Sequence, residues 1–480
     1  MRIATKSGKI DISKEDKTFN LANFFANFIT EGDVIFLYGE IGVGKTTFVK
    51  YLINSIQKKK KEYLSEITSP TFNIMNEYQA KNLNINHFDL FRIDKTIDLN
   101  NIGLFNDYKN CLTIVEWPEK IKFKPDNRYE LFFEYKKQSN KRFLKIKKIM
   151  FGIEINEKLG ENRYIKVKGD ASSRIFYRKH KVNKSSIIVY SKKDKKKNLL
   201  NYDAINKILI KNKIIAPKLY YQNYKNNYIE IQDLGNNTVF DIFSKSKSNK
   251  NFSIYKKIIF FLLKIQKVKH SNIKNFMGKN YKIPKYTKVK IFNEAKLFCD
   301  WYVPNVKKKE DVKRINSELK KLIKLLTEKI KMKNCIFVHR DFHISNIVPY
   351  KNSFGLLDSQ DAVIGNKAYD LASIVDDVRF KTSEKDKVKL LDYYLKFDKN
   401  QINKKEFEND FYILSVLRNL KIIGIFTRLS IRDQKKQYLK LIPYTWRLIE
   451  NRIKDKPVLK DLKFFLNKNF STKLRKKHAN

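Results

Sequence analysis

At 480 residues the chain is long enough for two or three domains, each with its own core. A hydrophobic fraction of 42% with 13% aromatics excludes a globally disordered polymer. Lysine and arginine outnumber aspartate and glutamate 101 to 50, and the resulting formal charge of +51 raises RNA, DNA or an anionic membrane as partners.

Along the chain, residues 14–30 carry Phe19, Leu21, Phe24, Phe25 and Phe28 near helical spacing and predict an amphipathic helix. Val34–Tyr38 is a short apolar run ending at a glycine, which reads as a buried strand, and a helix follows from Lys45 to about Gln57. Strands are predicted at Asn84–Phe88, Leu112–Val115, Tyr129–Tyr135 and Arg142–Ile149, so the first third is an α/β sheet domain. Around Gly152–Gly160 the pattern breaks into a polar connector. Strands resume at Tyr164–Val167, Ile175–Arg178, Ile187–Tyr190 and Tyr228–Gln232. Helical periods then dominate at 255–268, 312–330, 368–379, 384–397, 406–427 and 435–452, interrupted by a strand pair at Cys335–Val338 and Phe354–Leu357. A small sheet-rich lobe before a large helical one is the order of a bilobal kinase. The expected domains are 1–151, a connector at 152–162, and 163–470.

Cys111, Cys299 and Cys335 are too widely spaced for a CxxC metal site, and their odd number does not suit a disulfide framework. Each lies in an apolar stretch, so buried thiols in a reducing cytoplasm are expected. The N-terminus lacks an apolar signal-peptide core, and the most apolar run, Ile258–Leu263, is too short to span a bilayer. The lysines are scattered apart from short runs at Lys58–Lys61, Lys192–Lys197 and Lys307–Lys309. Since patches rather than totals mark a nucleic-acid groove, coding bias and solvated faces explain the charge better than an RNA-binding module.

Two motifs carry chemistry. The first is Gly39-Glu40-Ile41-Gly42-Val43-Gly44-Lys45-Thr46, with Thr47 behind it. Glycines let the backbone turn around phosphates, Lys45 reaches their oxygens, and the Thr46 hydroxyl suits magnesium. The predicted strand before the loop and helix after it would aim helix N-terminal amides at the anion. A strand-end carboxylate must complete the metal site, and both Asp89 and Glu116 qualify; a surface acid facing water is the plain alternative for Glu116.

Gly39–Thr47, Ser69-Pro70-Thr71-Phe72, His87-Phe88-Asp89-Leu90-Phe91-Arg92 and Val115-Glu116-Trp117-Pro118-Glu119 occur in an order and spacing that resembles the TsaE family. TsaE is the ATPase subunit of the bacterial machinery for threonylcarbamoyladenosine in tRNA. The resemblance covers about residues 15–150. It implies ATP and Mg2+ at Lys45 and Thr46, Asp89 as a Walker-B-like carboxylate, Ser69–Phe72 as a nucleotide-sensing switch, and Glu116 as a magnesium- or water-positioning acid beside Trp117. Val43 stands where the family usually has a smaller residue. The implied partners are the threonylcarbamoyl-transferase subunit and its paralogue, with tRNA engaged indirectly.

The second motif is His339-Arg340-Asp341-Phe342-His343-Ile344-Ser345-Asn346, followed by Asp358. Kinase-like enzymes need an aspartate at the acceptor hydroxyl, an asparagine five residues later at magnesium, and a metal-holding aspartate beyond the next strand. Asp341, Asn346 and Asp358 have that spacing. Upstream, Gly169-Asp170-Ala171-Ser172-Ser173-Arg174 suits a loop over the phosphates, with Gly169, Ser172 and Ser173 as contacts, although a hairpin turn would explain it as well. Asp233 falls where adenine-contacting backbone would sit. Asp370 starts a helix, where N-capping is the plain reading and is partly compatible with propping the Asp341 loop, and His343 either shapes that loop or is structural.

Together with Asp233-Leu234-Gly235, Trp301-Tyr302, Leu357–Ala362 and Tyr369–Ser373, these residues resemble the aminoglycoside phosphotransferase superfamily, nearest its anomeric kinases for N-acetylmuramate and N-acetylglucosamine. Coverage is about residues 160–460. Ser359 departs from the usual aromatic, and no lysine stands clearly on Ile187–Tyr190, although Lys192 and Lys193 are near. Only about a dozen residues separate Asp358 from Asp370, too few for the activation segment of a protein kinase, so a small hydroxylated acceptor such as an amino sugar is expected. The overall expectation is an α/β P-loop ATPase domain followed by an α+β bilobal kinase-like domain. The alternatives are a regulatory nucleotide-binding kinase-like domain or a basic RNA-binding protein.

Overall fold

The computed structural model describes residues 8–93, 102–155, 163–167, 174–181, 184–245, 248–269, 272–332, 335–398 and 403–477. The chain divides into two compact units, Met1–Val167 with Tyr177–Ser186, and Lys168–Phe176 with Ile187–Asn480. Gly169, Ser172 and Ser173 lie outside the described residues, as does most of the expected connector; its Ile153–Ile155 forms a short strand.

The first unit runs β1 (Lys9–Asp11), α1 (Glu15–Phe25), β2 (Val34–Tyr38), α2 (Lys45–Lys59), β3 (Met75–Ala80), β4 (Leu83–Asp89), β5 (Cys111–Glu116), β6 (Arg128–Lys136), β7 (Lys141–Met150) and β8 (Ile153–Ile155). Its sheet has the order β1–β7–β6–β2–β5–β4–β3, with β8 added to β7. The centre, β6–β2–β5–β4, is parallel. Apolar side chains cover both faces of that centre. Leu21, Phe25, Phe48 and Leu52 of the two helices pack with Ile35 and Leu131, while Phe36, Phe88 and Val115 form a second core. Burial on both faces is why β2 and β5 read as unbroken apolar runs rather than alternating ones. The predicted helix over 14–30 stops at Phe25, where 26–28 tighten into turns and Asn27 Nδ2 donates to the Phe24 carbonyl at 3.0 Å.

From residue 163 the order is β9 (Arg163–Val167), β10 (Ile175–Lys181), β11 (Lys184–Tyr190), α3 (Lys197–Lys211), β12 (Leu219–Asn223) and β13 (Tyr228–Gln232). Within the second unit, β12 pairs antiparallel with β13, and β11 continues that sheet beside β13. Beyond it come α4 (Val239–Lys245), α5 (Ser248–Ile265), β14 (Ile273–Lys274), β15 (Asn280–Tyr281), α6 (Lys288–Ala295), α7 (Val303–Val306) and α8 (Lys309–Lys329). Next are β16 (Cys335–Val338), β17 (Ile347–Tyr350), β18 (Ser353–Leu356), β19 (Val363–Asn366), α9 (Ala368–Val375) and α10 (Glu384–Phe397). The chain continues with α11 (Lys404–Arg432), α12 (Ile442–Ile453), α13 (Lys460–Asn469) and α14 (Thr472–Arg475).

The two strands expected to pair do not pair with each other. β16 takes β19 and β17 takes β18, each antiparallel, because a tight turn at Lys351 (φ 53°) gives β18 a nearer partner. The long α11 is buried along most of its length, and the rings of Phe298, Tyr302, Trp446 and Phe470 meet one another at edge-on and tilted angles. A Cβ on Gly424 would lie 2.4 Å from the Leu297 carbonyl carbon, so only glycine allows α11 this close to residues 297–298. Cys111 and Cys299 are buried as expected, but Cys335 is exposed, because it opens β16 at the strand's outer end.

Candidate functional sites

The C-terminal ends of the parallel strands in the first unit gather its motif residues, as open α/β sheets do at their ligand sites. Parallel register sets Glu116 opposite Leu37 of β2 on one side and Asp89 of β4 on the other. The turn between β2 and α2 holds Gly39, Gly42 and Gly44 at φ 140°, 72° and 108°. A side chain on Gly39 would come within 2.7 Å of the Phe133 carbonyl, so the motif's first glycine is a packing requirement as well as a turn. Val43 is buried in the α2-side core, which accommodates the larger residue away from the loop opening. Thr47 is exposed.

Lys45 is nearly buried. Its ammonium donates to the carbonyls of Gly39 (2.8 Å) and Glu40 (3.0 Å) and lies 4.0 Å from the centre of the Trp117 ring. Burial lowers its pKa, while Glu116, Asp89 and Glu119 oppose that shift. Thr46 donates its hydroxyl to Glu116 Oε1 at 2.9 Å, and His87 Nε2 sits 3.0 Å from the same oxygen. Glu116 is 2% exposed, so it is not a surface acid. Asp89 is engaged differently: it accepts from Ser69 (3.1 Å), Thr71 (2.6 Å) and the Phe91 amide (2.8 Å). Both carboxylates reach the loop region, but Glu116 touches the P-loop threonine while Asp89 anchors the Ser69–Thr71 segment. Hard oxygen donors suit magnesium, and the Thr46–Glu116 pair supplies two of them.

In the second unit, the residues after β16 form the other centre. Arg340 adopts φ 73°, and Asp370 of α9 receives the amides of His339 (2.6 Å) and Arg340 (3.0 Å). Asp370 is therefore the loop's prop, within α9 rather than its cap. Burial raises its pKa to about 6, partly opposed by His339 and these amides. A second acid, Asp377, accepts the Ile344 amide at 3.1 Å. Burial works against ionising Asp341, yet Lys421, Arg340, His339 and Arg418 outweigh it and hold the carboxyl below its usual range. An ionised aspartate is what orienting an acceptor hydroxyl requires.

Asn346 donates through Nδ2 to the Asp341 carbonyl at 3.0 Å, which leaves its Oδ1 as the atom for a cation. His343 is buried and its pKa is well below normal, chiefly through burial; its Nε2 lies 3.3 Å from Asn346 Nδ2. It shapes the loop. Asp358, at φ 62° beyond β18, pairs with Arg174, whose Nη1 donates to Gln360 Oε1 at 2.6 Å. Asp233 follows β13 and accepts the Gly235 amide at 3.0 Å. Between Asp358 and α9 the chain holds only a single-turn helix, Ser359–Asp361, and β19. It contains no activation segment.

The sequence reading missed α3, although Leu199, Tyr202, Ile205, Ile208 and Leu209 repeat at helical spacing along it and are buried. That helix supplies Asn206, which accepts the buried hydroxyl of Ser359 at 2.5 Å. Ser359 thus ties α3 to the turn after Asp358 by a hydrogen bond. A further cluster beside Asp341 was also missed: Glu294 of α6 pairs with Arg340, meets Lys421 of α11 at 2.7 Å, and receives the Tyr286 hydroxyl at 2.6 Å.

This geometry defines a P-loop nucleotide-binding domain and a kinase-like phosphotransferase domain on one chain. Residues 12–144 match the model of the threonylcarbamoyl adenosine biosynthesis protein TsaE, and residues 251–403 match that of the phosphotransferase enzyme family. The TsaE protein of Rickettsia typhi is 33% identical over 23% of this chain and 74% of its own. The N-acetylmuramate/N-acetylglucosamine kinase of Pseudomonas aeruginosa is 27% identical over 52% of this chain and 71% of its own. Among solved structures, Plasmodium vivax ethanolamine kinase is 15% identical with a TM-score of 0.45, over 64% of this chain and 85% of that one. The chain belongs to the TsaE family through its first domain and carries a phosphotransferase-family domain after it. Both are ATP-using enzyme classes. Among the described residues no helix is long and apolar enough to cross a membrane.

Proposed function

We propose that the chain is bifunctional. Its first domain hydrolyses ATP in support of threonylcarbamoyladenosine formation on tRNA, in complex with the threonylcarbamoyl-transferase subunit and its paralogue. Its second domain transfers the γ-phosphate of ATP to a hydroxyl of an amino sugar of the N-acetylmuramate or N-acetylglucosamine kind. Both reactions belong to the cytoplasm. What supports this reading most is that each domain gathers its own motif residues: Lys45, Thr46 and Glu116 around one loop, and in the other Asn346 bonded to the Asp341 carbonyl with the Leu357 amide, next to Asp358, bonded to the Asn346 carbonyl.

In the first domain the loop amides, Gly39 to Gly44, cradle phosphate, and the Ser69–Thr71 segment held by Asp89 is the part that nucleotide turnover can release toward a partner. In the second, Asp341 accepts or orients the acceptor hydroxyl's proton. The short path from Asp358 to α9 offers no peptide-docking platform, which favours a small acceptor. Thr46 with Glu116, and Asn346 with Asp358, are the oxygen donors that would hold Mg2+. Bound there, magnesium neutralises phosphate charge.

The test is to incubate the pure protein with ATP and either sugar and look for sugar phosphate by mass spectrometry. Wild type should give product, and Asp341→Ala should lower the rate about a hundredfold or more while ATP hydrolysis by the assembled tRNA-modification complex persists. Lys45→Ala should give the reverse pattern. Phosphorylation of peptides but not sugars would reject the second assignment, and full ATPase activity in Lys45→Ala the first.

A further inference from the structure

A kinase-like site needs a cation reaching the ATP phosphates from the small lobe, and the usual source is a lysine on the strand that precedes the helix. Here that strand is β11, Lys184–Tyr190, and it has only Lys184, exposed at its outer end; Lys192, beyond the strand, is also exposed. The acidic pole of the site is nevertheless matched by a cation from elsewhere. Arg174, immediately before β10, is 8% exposed. Its guanidinium lies 5.4 Å from the ring of Phe176 and 5.9 Å from that of Tyr202 on α3, and it reaches both Asp358 and Gln360.

We propose that Arg174 is the phosphate-anchoring cation of the second domain, and that without nucleotide it is latched onto the metal carboxylate Asp358. This rests on the kinase reading of that domain. Two features support an exchangeable latch over a permanent pin. Asp358 is the one carboxylate whose sequence position assigns it to magnesium, so the ion pair and the metal compete for the same oxygens. A guanidinium is also matched to phosphate by its fork of donors, so it can trade a carboxylate for phosphate oxygens without losing charge compensation. Binding of Mg·ATP would then proceed by exchange: Asp358 passes from Arg174 to the cation, and Arg174 passes from Asp358 to the phosphates. Phe176 and Tyr202 hold the flat face of the guanidinium throughout.

The experiment uses the full chain with Lys45→Ala, so that only the second nucleotide site reports. A fluorescent ATP analogue is titrated with and without Mg2+, Mn2+ alone is titrated by paramagnetic relaxation, and thermal unfolding is followed in parallel. Arg174→Met should weaken nucleotide binding at least tenfold and tighten Mn2+ binding in the absence of nucleotide. Arg174→Lys should recover much of the nucleotide affinity. Asp358→Asn, which frees Arg174 from the other end, should leave metal-free nucleotide binding at least as tight as in the parent. Wild-type nucleotide affinity and unchanged Mn2+ binding in a folded Arg174→Met would overturn the proposal. If Arg174→Met does not fold, loss of metal-free binding in Asp358→Asn would do so. Because these readouts need no acceptor, a protein that phosphorylates no sugar would count against the substrate assignment alone.

Discussion

The two centres solve one electrostatic problem in opposite ways. In the first domain Lys45 rests on neutral carbonyls of its own loop, and the acids Glu116 and Asp89 are occupied by hydroxyls, an imidazole and an amide. In the second, Arg174 rests directly on the acid Asp358. The first site therefore meets an incoming nucleotide with its positive charge uncancelled by direct contact, whereas the second meets it with cation and acid already neutralised. A backbone cradle can stand ready without a counter-charge because amide dipoles do not collapse onto their neighbours. A cradle of side chains needs an internal partner until the ligand replaces it.

The contrast can be broken most severely at Glu116. This acid has no spare solvation: it is buried and shared between Thr46 and His87. Glu116→Gln keeps the shape and removes the charge, so Mg2+-dependent ATP hydrolysis by the assembled complex should fall by about a hundredfold or more. Asp89→Asn leaves one oxygen, which can accept either from the Ser69 and Thr71 hydroxyls or from the Phe91 amide but not from both sides, and should act mainly on the Ser69–Thr71 segment. It should lower stimulation by partner proteins more than nucleotide binding. Equal loss in both variants would mean that the two acids share one role.

A smaller effect separates the sites by pH. Asp370 takes up a proton near pH 6 in the folded protein, against an ordinary carboxyl value of 3.8. Its pKa is raised by folding, so its contribution to stability is greatest below pH 4 and is lost as pH rises through about 6. Activity runs the other way, because the ionised carboxylate receives the His339 and Arg340 amides that shape the Asp341 loop. Sugar phosphorylation should therefore show an acidic limb near pH 6 that Asp370→Asn flattens, at a several-fold lower plateau. Hydrolysis at the first site, measured over the same range, should keep its own profile in that variant.

The difference between the centres also decides what is legible in the sequence alone. The P-loop is contiguous because amides, helix terminus and lysine must follow one another along the backbone, so Gly39–Thr46 was legible together with β2 and α2 on either side. The placement of Asp341 and Asp358 shortly after β16 and β18 was legible for the same reason, as positions at fixed spacing after apolar runs. Side chains that act across the fold were not. Nothing local marks Arg174 as the partner of Asp358, 184 residues away, or Asn206 as the partner of Ser359. The pairing of β16 with β19 was hidden because β-pairing is a choice among several suitable apolar runs. The short strands β1 and β8 escaped because three residues carry no period.

The mildest perturbation tests whether α3 is tied to the second centre as a unit. Ser359 and Asn206 are both buried, and their 2.5 Å hydrogen bond joins α3 to the turn that carries Asp358. Asn206 also donates through Nδ2 to the Pro217 carbonyl at 3.0 Å, so its Oδ1 is the atom that Ser359→Ala would strand. Leaving one buried acceptor unpaired costs about 1–3 kcal/mol, which should appear as a lower unfolding midpoint of the second domain. Ser359→Thr keeps the hydroxyl but adds a methyl group to a fully buried position, so it separates loss of the bond from loss of packing. If α3 positions the site through this contact, Ser359→Ala should also raise the KM for ATP by a few-fold with little change in kcat, and the P-loop ATPase should be untouched. A fall in stability with an unchanged KM would assign the bond to the fold alone.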